Sequence, residues 1–258
     1  MKKLLLSYDA PWAPLFCLGA LNLILCLVSS MKMITTGNPV VTYLLPLAMP
    51  MLMLTSIFWT RDCSRESTLG AINDNKSYNT KMGMLLFLLS EAFFFLSFFW
   101  MFVSSVLTPE LSFWPPSNLK MPSFIGAPSL NTILLVASSA TVTLSHYEKD
   151  ENSRISLGWL ILTLMMSFLF LTVQYIEYLS LPFNFTSGVG GSIFFMATGF
   201  HGTHVILGSI LLTGCAFLLY KNFYTSTSML SYELAIWYWH FVDAIWLMLY
   251  TIFYCWGH

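Results

Sequence analysis

Seven long apolar stretches, each of about 20 residues or more, constrain this 258-residue chain more than any other feature. The hydrocarbon core of a bilayer is about 30 Å thick and needs about 20 apolar residues per helix. The stretches are continuously apolar rather than alternating, which favours helices over barrel strands. Helices also satisfy their own backbone groups in lipid. The sequence therefore predicts an all-α integral membrane protein, a single domain over 1–258, with seven transmembrane helices at about 14–34, 38–60, 82–107, 128–146, 155–180, 189–220 and 232–256.

Composition excludes most soluble classes of protein. Hydrophobic residues make up 57% of the chain and charged residues only 9%, whereas soluble domains carry roughly a quarter charged residues. No basic stripe is present that would bind nucleic acid. The five cysteines form no C-x-x-C pair and mostly fall in apolar segments, which predicts free thiols rather than a disulfide or a zinc site.

The lysines and arginines predict the orientation of the chain. If the N-terminus faces the side on which the protein is made, nine basic residues lie on that side and two on the other, a clear positive-inside bias. The nine are Lys2, Lys3, Arg61, Arg65, Lys76, Lys81, Lys149, Arg154 and Lys221, and the two are Lys32 and Lys120.

The most polar stretch, residues 61–80, separates the second and third predicted helices. Two interpretations remain open for it. It is either a solvated interhelical loop, or a basic edge in which Arg61 and Arg65 hold lipid phosphates. Arg61 and Arg65 are four residues apart, so they share one side if the helix continues through them.

A single carboxylate, Glu91, interrupts the apolar run 85–102. An unpaired charge in hydrocarbon costs several kcal/mol or more, so such an acid keeps its proton unless it is paired. No Lys or Arg shares its span, and Lys81 is ten residues away, about 15 Å along a helix. Glu91 is therefore either a neutral acid that ties two helices together or a protonatable group with a function.

Other ionisable residues also fall inside predicted spans, where they usually face protein or water. His201 and His204 are three residues apart and share a helix face, and His240 and Asp243 have the same spacing. Estimated depths place the two pairs at a similar level, which predicts one hydrogen-bonded network between the sixth and seventh helices. A metal or haem site is the alternative. The buried protonatable candidates are Glu91, Glu177, His201, His204, His240 and Asp243.

Several motifs resemble the cytochrome c oxidase subunit 3 family, in that family's order and over nearly the whole chain. They are "RDCSRES" (61–67), "SEAFFFLSFFWMF" (90–102), "LNTILLVASSATVT" (130–143), "VQYIEY" (173–178), "ATGFHGTHVILGS" (197–209) and "YELAIWYWHFVDAIWLMLY" (232–250).

The resemblance implies a seven-helix, non-catalytic subunit of a haem–copper respiratory oxidase, with a two-helix bundle and a five-helix bundle separated by a lipid-filled cleft. It implies no catalytic residue, cofactor or metal in this chain, with haem a and copper in partner subunits. The expected partners are catalytic subunit 1, other oxidase subunits and bound phospholipids. The expected roles are assembly, stability and proton uptake. The lipid-headgroup candidates are Trp59, Arg61, Arg65 and Glu66.

A location follows from the same features. The apolar run in "MKKLLLSYDAPWAP" is broken at once by polar residues and prolines, so we expect no cleaved targeting segment. A Met-rich apolar chain of this kind is typical of mitochondrial translation, with the N-terminus in the matrix and the C-terminus in the intermembrane space. A bacterial plasma membrane is the alternative location.

Two further functions compete with the oxidase subunit. One is an autonomous proton-coupled transporter, and the other is a stand-alone haem or di-metal oxidase. Transporters often show inverted repeats and broken helices, neither of which is visible in the sequence.

Overall fold

The structure is a computed structural model that describes residues 11–36, 45–68, 74–104, 122–224 and 229–256. Within these ranges all regular secondary structure is helical, and no strand is found. The helices are α1 (Trp12–Thr36), α2 (Leu45–Thr68), α3 (Asp74–Ser104), α4 (Ala127–Glu148), α5 (Ser153–Ser180), α6 (Val189–Tyr220) and α7 (Leu230–Leu249), and a π-helix (Tyr250–Cys255) continues α7.

Six of these helices are long and apolar enough to cross a membrane, so the chain is a multi-pass membrane protein. The exception is α2, and the predicted span 38–60 begins among residues outside the described ranges. The predicted loop 61–80 is helical at both of its described ends, because α2 continues to Thr68 and α3 begins at Asp74. Arg61, Arg65 and Lys76 are exposed at these ends while the backbone stays helical. Most of the proline-rich segment 108–128 lies outside the described residues.

The chain divides into two compact units, Met1–Ile72 and Asn73–His258. In the first unit α1 and α2 pack as an antiparallel hairpin. The Trp12 indole donates a 2.7 Å hydrogen bond to Asp62 Oδ2 and stacks on Phe58 at a centroid distance of 5.4 Å. The two helices are in contact at Gly19 and Leu52, where a Cβ on Gly19 would lie 3.4 Å from Leu52 Cγ.

In the second unit, three aromatic side chains of α7 form hydrogen bonds with hydroxyl groups of α4, and we call Tyr232, Trp239 and Trp246 the aromatic ladder. Tyr232, Trp239 and Trp246 are seven residues apart and fully buried, so they lie on one helix face. The Tyr232 hydroxyl lies 2.7 Å from Ser145 Oγ. The indoles of Trp239 and Trp246 donate 3.0 Å hydrogen bonds to Ser138 Oγ and Thr132 Oγ1, respectively.

Smaller polar contacts join α5 to its neighbours. Thr141 and Thr163 share a 2.8 Å hydrogen bond between α4 and α5, and Ser209 on α6 donates to Ser167 at 3.1 Å. Tyr178 donates to Thr198 Oγ1 at 2.7 Å. Interhelical hydrogen bonds of this kind hold helices together where lipid offers no hydrophobic driving force.

Gly208 sets the approach of α6 to α7. A Cβ at this position would lie 2.9 Å from Trp239 Cε3 and 3.1 Å from Cζ3. The Trp239 ring is fully buried and its indole is held by Ser138, so it has little freedom to move aside.

We predict that Gly208→Ala destabilises the protein by about 1–3 kcal/mol, the usual cost of overpacking a core. The matched control is Gly214→Ala on the same helix, where a Cβ meets nothing within 4 Å. The control should be neutral or gain up to about 1 kcal/mol from helix propensity. Thermal denaturation of the detergent-solubilised protein measures both, and equal midpoints for the two variants would contradict this packing.

Candidate functional site

Three titratable side chains meet where α3, α6 and α7 pack together, and we call Glu91, His204 and Tyr238 the His204 cluster. His204 Nδ1 lies 2.7 Å from the Tyr238 hydroxyl. On the other side of the ring, Nε2 lies 3.5 Å from Glu91 Oε2. Both imidazole nitrogens therefore have a partner, one at a short hydrogen-bond distance and the other in a longer contact with a carboxyl oxygen.

The His204 cluster has two neutral arrangements that differ in the position of its protons. If Tyr238 donates to Nδ1, the imidazole carries its proton on Nε2 and faces the Glu91 carboxyl group with a donor. If Nδ1 carries the proton and donates to the Tyr238 oxygen, Nε2 is an acceptor for a protonated Glu91. A protonated imidazole donates on both sides, to an ionised Glu91 and to Tyr238. The cluster thus has the groups needed to hold a proton or to pass one between its two ends.

The surroundings of the His204 cluster are apolar on one side and open on the other. Phe95 packs on the His204 ring with a centroid distance of 5.3 Å, and Phe87 stacks on Tyr238 at 6.5 Å. The His204 side chain is 11% exposed, whereas that of Glu91 is 25% exposed. Glu91 is therefore the end of the cluster that reaches the surface of this unit, and it has a partner that the sequence did not predict.

His201 has a structural role on the same face of α6. Its ring is buried, and Nε2 lies 3.2 Å from the Val242 carbonyl oxygen. A carbonyl oxygen only accepts, so Nε2 must carry the proton and donate it. The ring packs against Phe170 and Trp246 at 5.7 Å and 5.1 Å. His201 consequently ties α6 to the backbone of α7.

The predicted network that joins His201 and His204 to His240 and Asp243 is not formed in the described part of the chain. His201 and His204 bind Val242 and Tyr238 instead. At about 100° per residue, His240 lies on almost the opposite side of α7 from Tyr238. The prediction took account of depth along the helices, whereas contact also depends on rotation about the axis of α7. Asp243 Oδ1 has no hydrogen-bond partner among the described residues.

Tyr238 is a member of the site that was not predicted from the sequence. Its signal was a phenol inside a transmembrane span, because a buried Tyr hydroxyl usually finds a hydrogen-bond partner. Glu177, the remaining candidate, lies on α5, is 3% exposed, and has no partner for either carboxyl oxygen among the described residues. No group of three His, Cys, Asp or Glu side chains placed to hold a metal ion occurs in the described ranges.

The lipid-headgroup candidates lie at the C-terminal end of α2, in the first unit. Arg61 Nε lies 2.9 Å from Asp62 Oδ1, and its guanidinium covers the Phe58 ring at 4.9 Å. Hydrogen bonds from Arg61 and Trp12 hold the pKa of Asp62 below its ordinary value, so this carboxylate is ionised at neutral pH. Part of the Arg61 charge is therefore compensated locally. Trp59, Arg65 and Glu66 are exposed beside it.

Comparison with known proteins gives one consistent result. A family profile described as "Cytochrome c oxidase subunit III" matches residues 4–258. The "Cytochrome c oxidase subunit 3" of Struthio camelus is 46% identical over 220 residues, which cover 83% of this chain and 84% of that protein. The protein of the same name from Rhipicephalus sanguineus is 39% identical over 252 residues, 96% of each chain.

The profile spans nearly the whole chain, and the relatives carry a single name. Three of the motifs that the sequence shares with this family, residues 90–102, 197–209 and 232–250, lie on α3, α6 and α7, the helices that build the His204 cluster. The chain belongs to the cytochrome c oxidase subunit III family.

Proposed function

We propose that this protein is a non-redox subunit of cytochrome c oxidase that supports assembly, stability and proton uptake of the complex. That complex reduces oxygen to water with electrons from cytochrome c and pumps protons, with haem a and copper in partner subunits such as catalytic subunit 1. The observation that carries the proposal is the His204 cluster, a protonatable chain of three groups with one end, Glu91, at the surface of its unit.

Glu91 is suited to exchange protons rather than to fix the fold alone. It lies about 15 Å along α3 from Lys81, whose ammonium pairs with Glu233 Oε2 at 2.6 Å and ties the ends of α3 and α7. The polar end of α3 is therefore fixed by an ion pair of its own. Glu91 is then free to hold a proton jointly with His204, as a reserve beside the uptake path of a partner subunit.

The orientation and the lipid contacts complete the proposal. We place the protein in the mitochondrial inner membrane, with the N-terminus in the matrix and the C-terminus in the intermembrane space, because the basic residues favour that side. The first two helices and the last five would form two bundles of one membrane domain, separated by a lipid-filled cleft. Trp59, Arg61, Arg65 and Glu66 would contact phospholipid headgroups at its matrix edge.

The Glu91→Gln variant tests the proton role. We expect it to retain oxygen reduction, since no redox centre is touched, and to lower either the protons pumped per electron or the lifetime during turnover. The matched control is Glu151→Gln, the same change at an exposed position between α4 and α5. Oxygen consumption and proton release by the oxidase in vesicles measure both quantities.

Two results would refute the proton role of Glu91. One is a Gln variant that assembles normally but has no oxidase activity. The other is a variant whose pumping and lifetime equal those of the Glu151→Gln control. Labelling by an apolar carbodiimide, which needs the protonated acid, provides an independent check, since wild type should react at Glu91 and the Gln variant should not.

The Arg61→Gln/Arg65→Gln double variant tests the lipid contact. Each cation near an anionic headgroup contributes about 1 kcal/mol, so we expect more lipid to be lost from the oxidase on washing with detergent. Asp62→Asn is the informative comparison, because it removes the charge that compensates Arg61 while keeping an acceptor for Trp12. It should retain as much lipid as wild type or more, measured by mass spectrometry of extracted phospholipid. Equal lipid content in all three proteins would contradict the contact.

A further inference from the structure

Four buried polar side chains converge near the ends of α4, α5 and the π-helix, and we call Asn131, Gln174, Glu177 and Tyr254 the Glu177 cluster. All four are at least 95% buried. Asn131 Nδ2 donates a 3.0 Å hydrogen bond to Gln174 Oε1. The Tyr254 hydroxyl lies near both Gln174 and Glu177 but forms a well-aligned hydrogen bond with neither.

The Glu177 cluster leaves most of its hydrogen-bonding capacity unused. Five of its atoms have no partner among the described residues, namely Asn131 Oδ1, Gln174 Nε2, both Glu177 carboxyl oxygens and the Tyr254 hydroxyl. Nine buried side-chain atoms lack partners in the described part of the chain, so this one place holds more than half of them. Each unsatisfied buried group costs about 1–3 kcal/mol, and the great majority of buried polar groups have a partner in protein or water.

The unpartnered atoms include both donors and acceptors, which identifies the kind of ligand they fit. The Gln174 amide nitrogen and the Tyr254 hydroxyl donate, whereas Asn131 Oδ1 and the Glu177 carboxyl group accept. Exchanging the oxygen and nitrogen of both amides still leaves one donor and one acceptor. A metal cation would satisfy only the acceptors and would face the Gln174 N–H groups with like polarity. Water donates and accepts, so it satisfies all of them.

The position of the Glu177 cluster favours trapped water as well. Asn131 is four residues from the start of α4 and Glu177 three residues from the end of α5, about 6 Å and 4.5 Å along the helices. The cluster thus lies about one turn in from the ends of these two helices. The Phe194 ring packs on Tyr254 at 5.7 Å, and Phe183 packs on Phe194 at 5.5 Å, so aromatic rings cover it.

We propose that the Glu177 cluster is an internal water site that joins α4, α5 and the π-helix. A buried water makes about three hydrogen bonds, so the five unpartnered atoms call for about two water molecules. The π-helix belongs to the same site, because its wider turn, closed by the 3.0 Å bond from Trp256 N to Thr251 O, carries Tyr254. The water then stabilises a helical turn that is rare on its own.

An electron-microscopy map of the intact wild-type oxidase at a resolution that shows water tests the proposal directly. We expect density about 2.7–3.2 Å from the Glu177 carboxyl group and the Tyr254 hydroxyl. Side chains that bond one another directly, with no density between them, would overturn the water site. So would a peak with oxygen atoms at about 2.3–2.6 Å on all sides, which is the geometry of a bound cation.

Infrared difference spectra in H₂¹⁸O provide a second test that depends on water alone. Glu177→Leu should lose O–H stretching bands that shift with ¹⁸O, whereas Glu177→Gln, which still donates and accepts, should keep them. The control is Thr163→Val, because the Thr141–Thr163 hydrogen bond is direct, and it should leave the ¹⁸O-sensitive bands unchanged. Bands equal in Glu177→Leu and wild type would refute the proposal. If the Leu variant does not assemble, the wild-type map and the Gln variant decide the question, and none of these readouts depends on the role of Glu91.

Discussion

Polar groups inside a membrane protein must form hydrogen bonds with one another, because lipid provides none. In the second unit this requirement is met by the hydrogen bonds between the aromatic side chains of α7 and the hydroxyls of α4. Every second turn of α7 carries a large buried aromatic ring with one polar atom, at Tyr232, Trp239 and Trp246. Ser138 Oγ donates to the Leu135 carbonyl at 2.7 Å while it accepts from the Trp239 indole. A hydroxyl on α4 can thus donate to a backbone carbonyl of its own helix and still accept a hydrogen bond from a side chain of α7. Rings fill the space between the two helices, and the hydrogen bonds fix their register.

The His204 cluster depends on the same helix but uses another of its faces. With Tyr238 taken as the reference direction and about 100° per residue, Val242 lies close to it, whereas the ladder residues lie about a quarter turn away. One face of α7 therefore receives His201 and His204 from α6 while the next face is held by α4. Because the ladder fixes the rotation of α7, it also fixes where the Tyr238 hydroxyl meets the His204 ring. The close approach of α6 at Gly208 brings the two histidines within reach.

The presence of the helices could be predicted from the sequence, whereas the contacts between them could not. Apolar length alone indicated all seven helices, and six of them are long and apolar enough to span a membrane in the structure. The i, i+3 spacing correctly placed His201 and His204 on one face. Their partners depended on the rotation of α7 and on which helix lies beside α6, and neither quantity is encoded in local periodicity. Glu91 illustrates the point, since its partner His204 lies on a helix more than 100 residues further along the chain.

The position of His240 on the outer face of α7 explains why it does not join His201 and His204 in the predicted network. His240 shares its direction with Leu247, which is 41% exposed, and Met248, which is 51% exposed, lies about a quarter turn from it. The His240 side chain is only partly buried in its own unit, so the remainder of the imidazole faces lipid or another subunit. In a chain that belongs to a multisubunit complex, a polar side chain on an apolar outer face is best satisfied by a partner chain, because lipid would leave it without hydrogen bonds. The same requirement that builds the ladder inside the unit thus favours contact between its surface and a neighbouring subunit.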